Sequence, residues 1–412
     1  MKAIYLAGAA ALALGGCTTM SETDTAPAAA MAEAQPAAEA APAVPANILL
    51  ADWSGPYAGV PPWDQVKPEL FPEAFQFAID ERRREIAAII DNPAPASFAN
   101  TVEALERTGR RLGRVGAVYG VMTSNMTNPQ YQALQKEWGP KLSAASDEIV
   151  LNPRLFQRIK AVYDARESAG LDAKQQRLVT RLYQSYVRRG ANLDAAQKQQ
   201  LSAYNQQLAR AFATFSEKVL ADESTHIAAN EKEMRGVPQD VKAAAKAAAK
   251  ERNLPADVYA IVNTRSAVDP VLTFADDRAL RERVWKAFVN RGDNPGQNDT
   301  GAVISEIVKL RSERAKLLGF PTHAHWRMQD TMAKDPARAQ ELMMRVWPAA
   351  VARVKEEVRD QQAMARKLGH KITIEPWDYR YYMEKVRKER YDLSQDEIKP
   401  YFELSNMING MF

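Results

Sequence analysis

Only one cysteine, Cys17, occurs in the 412 residues, so no disulfide can close within the chain. Histidine is nearly as scarce. None of the four, His226, His323, His325 and His370, begins a His-Glu-x-x-His stretch, so the helical zinc pair with its general-base glutamate is absent from these residues. A Gly-x-Ser-x-Gly elbow, a phosphate-cradling glycine-rich loop and Gly-x-Gly-x-x-Gly are missing too, which removes the sequence grounds for a serine hydrolase or a nucleotide enzyme. Charge of one sign is also lacking: 55 basic residues face 51 acidic ones, and the two are interleaved. Even the run Arg82-Arg83-Arg84 sits between Glu81 and Glu85, which describes a solvated helix face rather than a nucleic-acid patch. No nucleic-acid partner is expected.

Long hydrophobic runs are absent as well. The apolar stretch from Ala3 to Leu14 falls short of the ~20 residues that a bilayer-spanning helix needs, and with Lys2 before it the stretch reads as a secretory signal. Leu14-Gly15-Gly16-Cys17 resembles the lipobox of bacterial lipoproteins, in which the cysteine is lipidated and becomes the new N-terminus. The bland alternative is an ordinary cleaved signal with an incidental cysteine. On the lipoprotein reading Cys17 is the lipid attachment residue and is spent as a nucleophile. The protein then sits in the cell envelope facing the periplasm, at the outer rather than the inner membrane because Thr18 follows the cysteine. Acyl chains anchor at ~0.8 kcal/mol per buried methylene, so the membrane contact is through the anchor alone. Residues 18–47, rich in Ala, Pro, Glu and Thr, cannot bury enough apolar surface to offset ordering entropy and read as a disordered tether.

What is present is helix. At 46% hydrophobic and 26% charged, the chain can bury a large core. After an irregular aromatic entry from Ile48 to Lys67, nearly every segment has the 3.6-residue period. A first helix spans Glu73 to Asp91, and a second is expected without interruption from Phe98 to about Thr123. Asn128-Pro129 and Asn152-Pro153 each place a cap before a proline at the first helical position, and Asp172 and Asp194 read as further caps. Thr225–Ala228 and Val258–Val262 are short and β-prone and flank an alanine-rich helix from Gln239 to Arg252, so they are expected to pair as a small ribbon. Asp299 or Thr300 opens a helix that Gly319 stops. Asp335-Pro336 opens one that Gly369 closes, spanning roughly 50 Å at ~1.5 Å per residue, with a kink expected at Pro348. Ser394 and Glu397 have capping-box spacing. The fold class is therefore all-α, a multi-helix body with a small β ribbon near residues 224–264. The regions are a lipoprotein signal (1–17), a tether (18–47), an N-terminal helical region (48–223) and a second helical region (224–412).

Chemistry-bearing candidates are few. His323 and His325, two residues apart, can share a metal only on an extended segment, and the plainer reading is a helix-entry loop with structural imidazoles. The aromatic cluster at Trp377 to Tyr382 has two readings. Trp377, Tyr381 and Tyr382, with Arg387, form either the wall of a peptide channel or a helix–helix seam whose tyrosines reach partners at its rim. Tyr401, Phe402, Met407, Ile408, Met411 and Phe412 make an apolar tail that reads as one side of a core that continues elsewhere.

WDYRYYMEKVRKERYDLSQDEIKPYFEL, together with LRSERAKLLGF and MAKDP, resembles the thimet oligopeptidase family of zinc metallopeptidases, closest to its bacterial peptidyl-dipeptidase branch. SFANTVEALERTG extends a weaker match toward the start. The resemblance implies a helical body split by a long channel, a zinc-bound water that attacks the peptide bond with a glutamate as base, and short peptides as substrates, from whose C-termini this branch releases dipeptides. In the family the zinc motif follows the matched segment by some distance. The resemblance thus implies the N-terminal wall of a lipid-anchored zinc peptidase, inactive alone, with zinc as cofactor but no ligand among these residues. The rival expectation is a non-catalytic helical lipoprotein that binds peptides or a partner protein.

Overall fold

A computed structural model describes residues 42–54, 59–392 and 398–412; Cys17, the signal, most of the tether, and the Ser394/Glu397 pair lie outside the described residues. Val44–Phe412 cluster as one unit. Asn47 already belongs to it. Its amide donates to the Leu70 carbonyl and to Glu73 Oε2, each at 3.0 Å, and Leu49 and Leu50 beside it are buried.

The helices start where the caps are. Helix α1 (Phe71–Ile90) buries Phe71, Phe75, Ile79, Ile86 and Ile89 on one face. The next helix departs from expectation: a π-helical turn over Phe98–Glu103, opened by a Ser97/Asn100 capping box, gives way at Gly109 to α2 (Arg110–Asn125). The break is set at Gly109. Gly109 is left-handed (φ 69°), a conformation that cannot continue an α-helix, and its amide donates to Glu85 Oε2 at 2.7 Å. The side chains of Asn128, Asn152, Asp172 and Asp194 then accept from first-turn amides of α3 (Pro129–Val150), α4 (Pro153–Ala165), α5 (Ala173–Arg188) and α6 (Ala195–Glu223). Helices α3 and α6 pack along each other.

Strands β1 (His226–Ala229) and β2 (Tyr259–Val262) pair antiparallel, with His226 opposite Val262 and Ala229 opposite Tyr259. Between them runs α7 (Gln239–Glu251), and the ribbon shares a core with α8 (Arg265–Phe274) and α9 (Arg278–Val289) through Met234, Tyr259, Ile261, Val268, Leu272, Leu280 and Val284. Helix α10 (Gly301–Leu317) lays Val303, Ile307 and Leu310 on Leu208 and Ala211 of α6. Asp299 Oδ1 accepts from the Gly301 amide at 2.6 Å, while the Thr300 hydroxyl turns inward to the Gly292 carbonyl at 2.7 Å. The chain closes with α11 (His323–Met328), the 32-residue α12 (Pro336–Lys367), α13 (Tyr379–Tyr391) and α14 (Leu404–Met411). Helix α12 runs on through Pro348 as a single element. Among the described residues no helix is long and apolar enough to cross a membrane.

Candidate functional site

The aromatic segment folds as the seam between α12 and α13. Asp378, at the α13 N-cap, is 0% exposed. Arg278 donates to it through Nε at 3.1 Å and Nη2 at 2.8 Å, Arg281 through Nη2 at 2.9 Å, and the Glu375 amide at 3.1 Å. Burial alone would raise the carboxyl's pKa, but these donors outweigh it and hold Asp378 below the usual carboxylate value. Arg281 is itself 1% exposed; it also donates to the Ala275 carbonyl at 2.8 Å and lies over the Tyr381 ring at 4.2 Å. One buried carboxylate therefore ties the start of α13 to the start of α9. Arg278 and Arg281, three residues apart, share a helical face, which is the signal a sequence reading can use; Asp378 itself is hidden among aromatics.

The four residues singled out from the sequence separate here. Tyr381 and Tyr382 are buried with Met364 and Ala365, Tyr381 donating to Asp276 Oδ1 at 3.0 Å and the Tyr382 hydroxyl meeting His370 Nδ1 at 2.7 Å. Burial, reinforced by Asp276, pushes the Tyr381 pKa up to about 12, so it stays a neutral donor. Trp377 packs edge-on against Trp285 at 5.8 Å. Arg387 is taken up by Glu384 of its own helix through two contacts of 2.8 Å. Tyr381 and Tyr382 are thus brought together in a seam, and Arg387 points its charge along α13.

No zinc site is assembled from what is present. Among the described residues no group of three His, Cys, Asp or Glu side chains can hold a metal ion. His226 lies in β1 and His370 follows α12. His323 and His325 sit on a short helix, not on the extended or loop segment expected, because Thr322 caps it and accepts from the His325 amide at 3.3 Å. Two residues along a helix is a turn of ~200°, which directs the two rings apart. His325 Nδ1 is engaged by the Thr322 hydroxyl at 2.8 Å. Burial and the charges of Arg311, Arg314 and Arg327 bring His323 down to about 4, so it is neutral at physiological pH.

Away from the seam residues, an apolar stretch is open to solvent. Leu342, Met343, Met344, Val346 and Trp347, near the start of α12, are each 55–64% exposed. Tyr401, Phe402, Leu404, Met411 and Phe412 are exposed as well. A contiguous apolar stretch of this kind marks an interaction surface rather than an ordinary monomer face.

Residues 271–412 match the sequence model of peptidase family M3. The dipeptidyl carboxypeptidase of Escherichia coli K12 is 36% identical over 369 residues, which is 89% of this chain and 54% of that protein. Oligopeptidase A of Salmonella typhimurium is 27% identical over 372 residues, again 89% of this chain and 54% of the relative. Saccharolysin of Saccharomyces cerevisiae is 22% identical over 279 residues, 66% of this chain and 38% of the yeast protein. The chain is a member of peptidase family M3. It lies on the dipeptidyl carboxypeptidase side of the thimet oligopeptidases, as its last third suggested. This M3 chain spans about half the length of the curated relatives it matches. M3 membership implies a zinc peptidase, and the residues described here do not fit a zinc ion.

Proposed function

We propose that this chain forms the helical, non-zinc part of an M3 peptidase that hydrolyses short peptides, releasing dipeptides from their C-termini. The zinc ligands and general base of that enzyme lie outside these 412 residues, in a further segment or a separate chain, and the 412 residues alone do not hydrolyse peptides. One observation carries the reading: a relative named a dipeptidyl carboxypeptidase is matched along 89% of this chain, yet the matched part contains no His-Glu-x-x-His. The open apolar stretch of α12 supports it, since a zinc-bearing portion would cover such a surface.

The test is release of a C-terminal dipeptide from an N-blocked tetrapeptide in the presence of zinc. Expected is no release by the chain alone, and release once the part of the E. coli enzyme that this chain does not match is added. Chelator-sensitive hydrolysis by the purified 412-residue chain would contradict the reading.

Attachment to the envelope through a lipid on Cys17, with the body facing the periplasm, is part of the same proposal and rests on Leu14-Gly15-Gly16-Cys17. Labelled palmitate should enter the protein and be absent from Cys17→Ser. Equal labelling of the two would remove the anchor from the proposal.

A further inference from the structure

A cavity of ≈420 Å3 opens where α3, α6, α10 and α11 meet, next to the end of α5. Arg189 just after α5, Arg314 on α10 and Arg327 on α11 line it, against a single carboxylate, Asp147 on α3. None of the three arginines forms an ion pair among the described residues. Arg314 Nη1 donates to Asn205 Oδ1 at 2.9 Å, and Asn205 Nδ2 donates onward to both oxygens of Asp147 at 3.0 and 3.1 Å. The buried carboxylate is therefore already satisfied by an amide. Arg189 Nη2 reaches only the Ser146 hydroxyl, at 2.8 Å.

Trp326 braces the mouth. Its indole N–H donates to the Arg188 carbonyl at 2.8 Å, and its ring lies 4.7 Å from the Arg314 guanidinium and 5.5 Å from that of Arg327. Arg314 Nε is buried with no partner. Burial, with the positive charges of Arg311 and Arg327 acting the same way, brings the Arg314 pKa down to about 10. Three like charges brought together from α10, α11 and the turn after α5, with one neutralising group, is an arrangement that an anion stabilises.

We propose that this cavity binds an oxyanion, a carboxylate or phosphate group, between Arg189, Arg314 and Arg327. Guanidinium edges present paired N–H donors at the spacing of such oxygens, and charge-assisted bonds of this kind are the strong ones. The volume exceeds that of a bare ion, and the apolar wall from Leu201, Leu208 and Phe212 accommodates a short carbon substituent on the anion. The inference concerns residues outside the α12–α13 seam and does not depend on the peptidase reading.

The test follows the melting temperature and tryptophan fluorescence of the full chain during titration with sodium phosphate, sodium acetate or sodium chloride at matched ionic strength. Binding to the folded state alone multiplies the folded-to-unfolded ratio by about 11 at ten times Kd. A saturable rise with phosphate or acetate is expected, and it should be lost in Arg189→Gln/Arg327→Gln. Arg327 is exposed, and Arg189, though partly desolvated, keeps solvent contact, so the unliganded variant is expected to fold. If the double variant does not fold, Arg327→Gln alone gives the comparison. Whichever of phosphate and acetate binds more tightly identifies the source of the oxyanion. Equal response to chloride and the oxyanions, or an equal rise in parent and variant, would overturn the proposal.

Discussion

Asp378→Ala is expected to be among the most destabilising single changes in the second half of the chain. The carboxylate is fully buried, and its removal leaves Arg281, itself 1% exposed, charged and without its anion. Breaking a buried pair by deleting one partner costs ~3–5 kcal/mol. Arg278 has a side chain 39% exposed, so water screens its share and Arg278→Ala should cost only about 1 kcal/mol. At a urea slope of ~3 kcal/mol per molar, a loss of ~4 kcal/mol moves the unfolding midpoint down by ~1.3 M. The midpoint should be read by far-UV circular dichroism in parallel for both variants. Acid adds a second readout. The Asp378 pKa is depressed in the fold, so its contribution is complete above the ordinary value of 3.8 and is lost as pH falls toward the lower folded value. The parent should therefore lose stability on acidification more steeply than Asp378→Ala. A midpoint shift below ~0.3 M, or one no larger than that of Arg278→Ala, would refute the assignment of Asp378 as the tie between α13 and α9.

His323 gives an opposite residue type with the same sign. Its folded pKa, about 4, lies below the ordinary 6.5, so stability is full above 6.5 and falls as pH drops toward 4; His323→Phe should flatten urea midpoints across that window. Gly236→Ala should destabilise by more than ~2 kcal/mol, measurable by the same denaturation, because φ is +82° and an added Cβ would lie 2.3 Å from the Phe274 carbonyl oxygen. Met343→Lys/Trp347→Lys should leave the melting temperature within a few degrees of the parent while lowering binding of a hydrophobic dye and self-association in sedimentation, since both side chains face solvent.

Helix starts were legible because their chemistry is local. An Asn or Asp beside the first turn accepts its amides whatever the rest of the chain does, and Asn128, Asn152, Asp172 and Asp194 all act this way. The ribbon was legible for a similar reason, two β-prone runs flanking an alanine-rich helix. The helix expected to run unbroken from Phe98 was misread at Gly109. Its left-handed turn is fixed by Glu85, 24 residues away, and periodicity carries no trace of such a contact. The same limit hides Asp378, whose partners Arg278 and Arg281 are about 100 residues distant. It also hides the arginine cavity, which draws on residues from Ser143 to Arg327. The histidine pair, read as structural imidazoles on a helix-entry loop, lies instead on a short helix that Thr322 caps.

Zinc content tests the proposed role most directly. The purified 412-residue chain should be dialysed against micromolar zinc, then against metal-free buffer, and assayed by mass spectrometric metal analysis. Expected is far less than one equivalent per chain. One equivalent retained through dialysis and stripped only by a chelator would mean that these residues hold the metal themselves, and would contradict a non-zinc role.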